Sequence, residues 1–179
     1  MTLRQEKMPG GWAIDLFRDG RSISRLWIAD RQMRIGSQPV KIGGIAGVGT
    51  DPAVRNKGLA SRVMEAALEL MKREGYDASF LYGIPDFYHR FGFTTCMPQH
   101  SLEIETCRAE CAQKMLKMRT AQKADYTAIA RIYNRDSAKR TASCWRDPKR
   151  WYGFPMGSGF GVHCKAHVVL DDRDWVVGY

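Results

Sequence analysis

The sequence predicts an α/β protein with a mixed (α+β) sheet and helices packed on it. Three observations carry this. A strand-helix-strand unit runs from Val40 to Tyr82, which implies parallel pairing of its two strands through a crossover. Short strand-like runs precede it and read as a meander. From about Gln113 a strand-and-helix pattern starts afresh. Together these describe stacked layers of sheet and helix.

In chain order, Met1 to Gly11 reads as a loose lead-in. Trp12 to Phe17 reads as a strand, and Asp19-Gly20 signals a turn. Ser22 to Ala29 alternates Ile23, Leu26 and Ile28 with polar residues, as a half-buried strand does. Arg31 to Ile35 reads as a short third strand, Gly36 to Gln38 as a turn, and Pro39 to Gly49 as a long glycine-rich strand. A helix is expected from about Asn56 to Glu74. Leu59, Val63, Ala66, Ala67, Leu70 and Met71 fall on one of its faces, with charged residues on the other. Gly75 occupies the position of a C-terminal cap. Ala78 to Tyr82 reads as a buried strand broken by Gly83-Ile84-Pro85, and Asp86 as the cap of a short helix holding Phe87, Tyr88 and His89. Phe91 to Cys96 and Gln99 to Thr106 read as further strands. Beyond them come a strand at Met115 to Arg119, a helix at Ala124 to Lys139 and a loop from Arg140 to Gly161. Strands at Ala166 to Leu170 and Trp175 to Val177 flank the hairpin signal Asp171 to Asp174. The expected division is residues 1–112 and 113–179.

Composition narrows the function classes. The chain has 179 residues, with 44% hydrophobic and 26% charged, as in a globular protein with a sizeable core. No apolar run approaches the roughly 18 residues of a membrane span, and no apolar stretch follows a basic start as in a secretory signal. Five cysteines without regular spacing suit reduced thiols and a cytoplasmic location. Cys96, His100, Cys107 and Cys111 do not have the paired spacing of a zinc knuckle, so no metal is expected. The net charge is +9, of which +8 falls between Gln113 and Arg150, with eleven Lys or Arg against three Asp. A solvated basic face explains this, and attraction to an anionic ligand or nucleic acid is the alternative.

The run with chemical content is Val48-Gly49-Thr50-Asp51-Pro52-Ala53-Val54-Arg55-Asn56-Lys57-Gly58-Leu59-Ala60. A basic, glycine-containing turn joins a strand to the start of an amphipathic helix. The first N–H groups of a helix lack internal partners and lie at the positive end of its dipole, so they suit a phosphate. Glycine at 58 allows a bulky group near the main chain, and Arg55 and Lys57 add charge. Arg55-Asn56-Lys57-Gly58-Leu59-Ala60 resembles the coenzyme-A pyrophosphate loop of GNAT acetyltransferases, Q/R-x-x-G-x-G/A. Around Tyr88, thirty positions after Gly58, stands Phe87-Tyr88-His89-Arg90-Phe91-Gly92-Phe93, similar to a Phe-Tyr-x-x-x-Gly-Phe segment of many GNAT proteins. With Gly83-Ile84-Pro85-Asp86 before it, the segment resembles more narrowly the enhanced-intracellular-survival (Eis) family.

The resemblance implies a GNAT fold with part of a second GNAT-like repeat. It implies acetyl-CoA as cosubstrate and an amine acceptor. The tyrosine matching Tyr88 is the family's general acid toward the departing thiolate. Main-chain groups of Val48, Gly49 and Thr50 would pair with the pantetheine arm, and one N–H would polarise the acetyl carbonyl. Arg55, Asn56, Lys57, Gly58, Leu59, Ala60 and Ser61 would hold the pyrophosphate. Gly83 and Ile84 would line the facing strand. No nucleophile triad is present, and direct attack of an amine on the thioester is the simplest mechanism the resemblance implies.

Against the family, the eleven residues before Trp12 leave no room for its usual opening strand and two helices. The second repeat stops before a coenzyme-A loop, and Tyr179 does not match the family's catalytic carboxylate terminus. The second half could supply the missing strand and helix, within the chain or across a homo-oligomer. Two other readings remain open: a catalytically silent acyl-CoA-binding or regulatory module, and a nucleic-acid binder using residues 114–150, with Trp145, Trp151 and Tyr152 to stack on bases. No nucleic-acid motif accompanies that segment.

Overall fold

The computed structural model describes residues 1–84, 86–96, 103–111, 113, 115–151, 153, 154 and 165–179. They fall into two units, Met1–Cys96 with Thr141–Cys144, and Met97–Arg140 with Trp145–Tyr179.

Four strands of the first unit are joined by three two-residue turns. Strand β1 (Thr2–Met8), β2 (Gly11–Arg18), β3 (Arg21–Ile35) and β4 (Gln38–Thr50) pair antiparallel in sequence order. The turns are Pro9-Gly10, Asp19-Gly20 and Gly36-Ser37. Asp19 and Gly20 both have positive φ, the twist that suits a tight hairpin. The lead-in therefore belongs to the sheet. Its charged edge strand hides the signal, because such strands are kept polar against edge-to-edge pairing. The two strands expected between Ser22 and Ile35 are one. Its far end is flanked by residues 141–144, where the Ala142 N–H donates to Arg34 O (2.7 Å) and the Arg34 N–H to Ser143 O (2.9 Å).

Helix α1 (Leu59–Arg73) starts three residues later than its periodicity predicts, because Asn56 (φ 60°) and Gly58 (φ 72°) hold the chain in the left-handed region. It ends as expected at Gly75, where the Gly75 N–H donates to Lys72 O and the Tyr76 N–H to Met71 O, the paired bonds of a Schellman cap. Leu59, Val63, Met64, Ala67, Leu70 and Met71 of α1 pack on Ile14, Leu16, Leu26, Ile28 and Ile45 of the sheet. Each of these side chains larger than alanine contributes about 1.5–3 kcal/mol on burial. Gly43 marks the closest approach, since a Cβ there would run into Met71.

Strand β5 (Ala78–Phe80) is shorter than expected. It pairs parallel with β4 over only Ile42–Ala78, Gly43–Ser79 and Gly44–Phe80. Asp86 caps no helix, Phe87 and Tyr88 lie in a turn, and His89–Phe91 forms a single 3₁₀ turn closed by Gly92 (φ 86°). Residues 93–96 and 103–105 are not strands, and Thr106 begins a short helix α2 (Thr106–Glu110). Residues 99–102 of the expected strand lie outside the described residues.

In the second unit, β6 (Lys117–Thr120), β7 (His167–Leu170) and β8 (Val176–Gly178) form an antiparallel sheet. The acidic turn closes β7 on β8 as the sequence predicts, with the Asp171 side chain accepting from the Arg173 and Trp175 N–H groups. The expected helix is α3 (Tyr126–Asp136), shorter at both ends than the periodicity implies. Its entry is tied down by Asp125, which accepts two bonds from the Arg119 guanidinium (2.7 and 2.9 Å) and one from the Gln122 N–H. The paired guanidinium, then the main-chain bond, hold the Asp125 carboxyl below its ordinary range. Ile129, Val168 and Leu170 form the centre of this unit, with Tyr126, Trp151, Phe154 and Val176 packed on them.

Candidate functional site

Val48, Gly49 and Thr50 end β4, next to an irregularity. Arg25 pairs with Gly49 and Trp27 with Ala46, so two steps along β3 face three along β4. The extra residue lies at Gly47–Val48, where Gly47 has φ 61°. Such a bulge takes one residue out of the ladder and turns the strand. Ser24, fully buried on β3, anchors the strand end beyond the bulge. Its hydroxyl donates to Gly49 O (3.2 Å) and shares a hydrogen bond with the Thr50 hydroxyl (2.9 Å).

The turn after β4 is built by Asp51. Its carboxylate accepts from the Ala53 N–H (3.0 Å) and pairs with Arg21 (3.1 Å). Arg55 donates from Nε to Thr50 O (3.2 Å), so part of its guanidinium braces the strand end. Asn56 and Lys57 are exposed. Gly58 caps α1 without a side-chain bond, and no acidic residue stands in the first turn. The Arg62 N–H donates to Gly58 O (3.2 Å) as the first helical bond. The N–H groups of Leu59, Ala60 and Ser61 are left without an acceptor among the described residues. A Cβ at Gly58 would meet nothing within 4 Å, so the glycine answers to its left-handed backbone and opens on free space.

The facing wall begins where β5 stops. Beyond the Gly44–Phe80 pair, β4 continues to Thr50 while Leu81 to Ile84 leave the ladder. Gly83 lies against the Tyr88 ring, which a Cβ would strike. Ile84 is exposed. Tyr88 is half-buried, edge-on to Phe87 (4.9 Å) and Phe93 (6.2 Å). Its hydroxyl makes no hydrogen bond among the described residues, and burial pushes its pKa above the ordinary 10.0. Val48, Val54, Leu81, Phe87 and Tyr88 pack on the same core as Leu59. Of the sequence-predicted site residues, Val48, Leu59 and Tyr88 thus share one core.

Sequence reasoning passed over Ser24 and Gly47. Ser24 lies on another strand, 25 and 26 positions from its partners. Gly47 sits among four glycines between 43 and 49, a richness that is itself a bulge signal.

A family model described as an acetyltransferase (GNAT) domain matches residues 3–96, just over half of the chain. The chain belongs to the GNAT acetyltransferase family. Members of that family use acetyl-CoA. Among solved structures, a conserved protein from Enterococcus faecalis V583 described as a probable N-acyltransferase is 13% identical, with a TM-score of 0.68. The match covers 94% of this chain and 43% of that one, so this GNAT chain spans less than half of its relative's length. Two further GNAT-like matches are glucosamine-6-phosphate N-acetyltransferase from Arabidopsis thaliana and an aminoglycoside N-acetyltransferase in complex with CoA. The first has 19% identity and a TM-score of 0.46, over 54% of this chain and 68% of that one. The second has 14% identity and a TM-score of 0.45, over 54% and 77%. The curated proteins contain no match.

The second unit bears on the nucleic-acid reading. Both Tyr126 and Phe154 pack on the Trp151 ring, and the Arg146 guanidinium lies over it at 4.7 Å. Arg146 also lies over Tyr133 and donates to the Tyr179 hydroxyl (3.0 Å). Lys117, Arg119 and Arg135 each meet an aspartate. Trp151 is therefore part of a packed cluster, and three of the basic side chains are paired locally. Tyr152 and Lys114 lie outside the described residues. Among the described residues no three His, Cys, Asp or Glu gather as metal ligands, and no helix is long and apolar enough to cross a membrane. His100 of the sequence-weighed set lies outside them.

Proposed function

We propose that this GNAT protein moves the acetyl group of acetyl-CoA to an amine by direct attack. The observation that carries the reading is the parting of β4 from β5 after Gly44–Phe80. One wall of that opening carries the bulge at Gly47–Val48, and the other carries Gly83 with the Tyr88 ring on it. A thioester arm fits such a cleft, because main-chain groups outside a ladder need partners.

In this reading Val48, Gly49 and Thr50 pair with the pantetheine arm, and Gly83 and Ile84 line its other side. A main-chain N–H at the bulge polarises the acetyl carbonyl. The amine nitrogen forms the C–N bond, the C–S bond breaks, and the Tyr88 hydroxyl gives its proton to the departing thiolate. The ammonium proton leaves to a base outside this residue set. Arg55, Asn56, Lys57, Gly58, Leu59, Ala60 and Ser61 receive the pyrophosphate at the uncapped start of α1. The Gly83–Phe93 segment supports an Eis-type protein acting on lysine side chains or aminated small molecules, with residues 113–179 as part of a second repeat, and the irregularly spaced cysteines suit the cytoplasm.

The test is calorimetry with coenzyme A on the native protein and on Gly58→Glu. The acid stands at the proposed phosphate site, so affinity should fall at least tenfold, about 1.4 kcal/mol. A Gly58→Asn control keeps the left-handed backbone, which asparagine tolerates, and should retain most of the affinity. Equal binding by the native and Glu proteins, or binding by neither, sinks the proposal. Thiol release with a panel of amines then separates a catalyst from a silent binder.

A further inference from the structure

Arg18, the last residue of β2, and Arg62, in the first turn of α1, send their guanidinium groups to one atom. That atom is the Met1 sulfur, at 3.6 Å from Arg18 and 3.8 Å from Arg62. Neither arginine meets a carboxylate among the described residues. A thioether is a weak acceptor, and two cations gathered on it repel one another without an anion between them. The arrangement is that of an anion site filled by a poor substitute. Met1 is 60% exposed, so it can move aside at small cost.

The site lies beside the proposed phosphate loop. Arg62 donates its main-chain N–H to Gly58 O. Arg18 pairs across its hairpin with Arg21, which in turn meets Asp51 at the start of the loop. Two guanidinium forks match a phosphomonoester better than a bridging pyrophosphate, because a monoester presents three terminal oxygens and close to two charges at neutral pH.

We infer that Arg18 and Arg62 form a subsite for the 3′-phosphate of coenzyme A, separate from the main-chain site for its pyrophosphate. The inference rests on the acetyl-CoA reading above. It makes the pair a specificity determinant, because dephospho-CoA lacks only that phosphate.

Titration of the native protein with coenzyme A and with dephospho-CoA tests it without any substitution. Coenzyme A should bind at least tenfold tighter. In Arg18→Gln/Arg62→Gln the two ligands should bind alike, with dephospho-CoA held within about twofold of its native affinity. The single variant Arg62→Gln, at an exposed helix position, should lose part of the preference and guards against a folding defect in the pair. If the native protein does not distinguish the ligands, or the double variant still does, this subsite is wrong while the acetyl-CoA reading stands. If the native protein binds neither ligand, both fall.

Discussion

Tyr88 presents a packed ring and an open hydroxyl. Its ring is packed against Gly83, Phe87 and Phe93, yet its hydroxyl has no hydrogen-bond partner among the described residues. Its half-buried side chain leaves that O–H free to meet a ligand. Replacing it with phenylalanine removes one oxygen and no contact of the ring, so Tyr88→Phe should melt within a degree or two of the native protein. If the hydroxyl is the general acid, turnover should fall on the order of 10²-fold, with coenzyme-A affinity within about twofold. The pH profile gives a second readout. Burial raises the Tyr88 pKa above 10.0, so the protonated, donating form persists to higher pH than in a free tyrosine. Any loss of rate through this group should therefore set in at higher pH than for a free tyrosine. A decline of kcat near neutrality in the native protein that Tyr88→Phe abolishes would contradict this, as would a variant with full turnover. At this scale the loop residues 55–61 were legible, because a basic turn before a periodic helix is a local pattern. Arg18, Ser24 and Gly47 were not, since their meaning comes from strands paired across the sheet.

Helix α1 and strand β4 show what periodicity can and cannot specify. The apolar face from Leu59 to Met71 and the glycine after it were readable, because a 3.6-residue repeat and a C-terminal glycine are local signals. The start of the helix was misplaced by three residues, because a 3.6-residue repeat does not register the backbone angles of Asn56 and Gly58. Strand β1 escaped because it carries Arg4, Glu6 and Lys7 on an exposed edge, and β5 was overdrawn because apolar character runs past the point where pairing stops. Gly43 turns the packing of these elements into a prediction. The sheet approaches α1 so closely there that an added side chain meets the Met71 sulfur. Gly43→Val should cost about 1–3 kcal/mol in chemical denaturation, the usual penalty for overpacking. Gly43→Ala should cost less, because the nearest obstructing atom is the sulfur of a flexible methionine, and Met71→Ala in that background should recover part of the loss. An unperturbed Gly43→Val would mean that α1 stands further from the sheet.

Across the whole molecule the mixed α/β class was legible, because strand and helix periods alternate along the chain. The paths of individual connections were not. Residues 141–144 join the first unit through backbone bonds to Arg34, which leave no mark in side-chain pattern. Charge is the whole-molecule property with a direct functional reading. The net charge is +9, and the end of the first unit that carries the proposed phosphate loop gathers Arg18, Arg21, Arg55, Lys57 and Arg62, with Asp51 as their one ion-pair partner among the described residues. Coenzyme A is strongly anionic, so its binding should draw on this field. Screening shortens from roughly 10 Å at 0.1 M salt to about 3 Å at 1 M, and exposed charges lose their reach over that range. Coenzyme-A affinity should therefore weaken severalfold between about 0.05 and 0.5 M KCl, measured by calorimetry. Dephospho-CoA should weaken less, in proportion to its missing charge. Its affinity in Arg18→Gln/Arg62→Gln should respond to salt still more weakly, because two of the contributing cations are gone. A salt-independent affinity for coenzyme A would assign its binding to apolar contacts in the cleft and would remove the electrostatic argument for the basic end of the sheet.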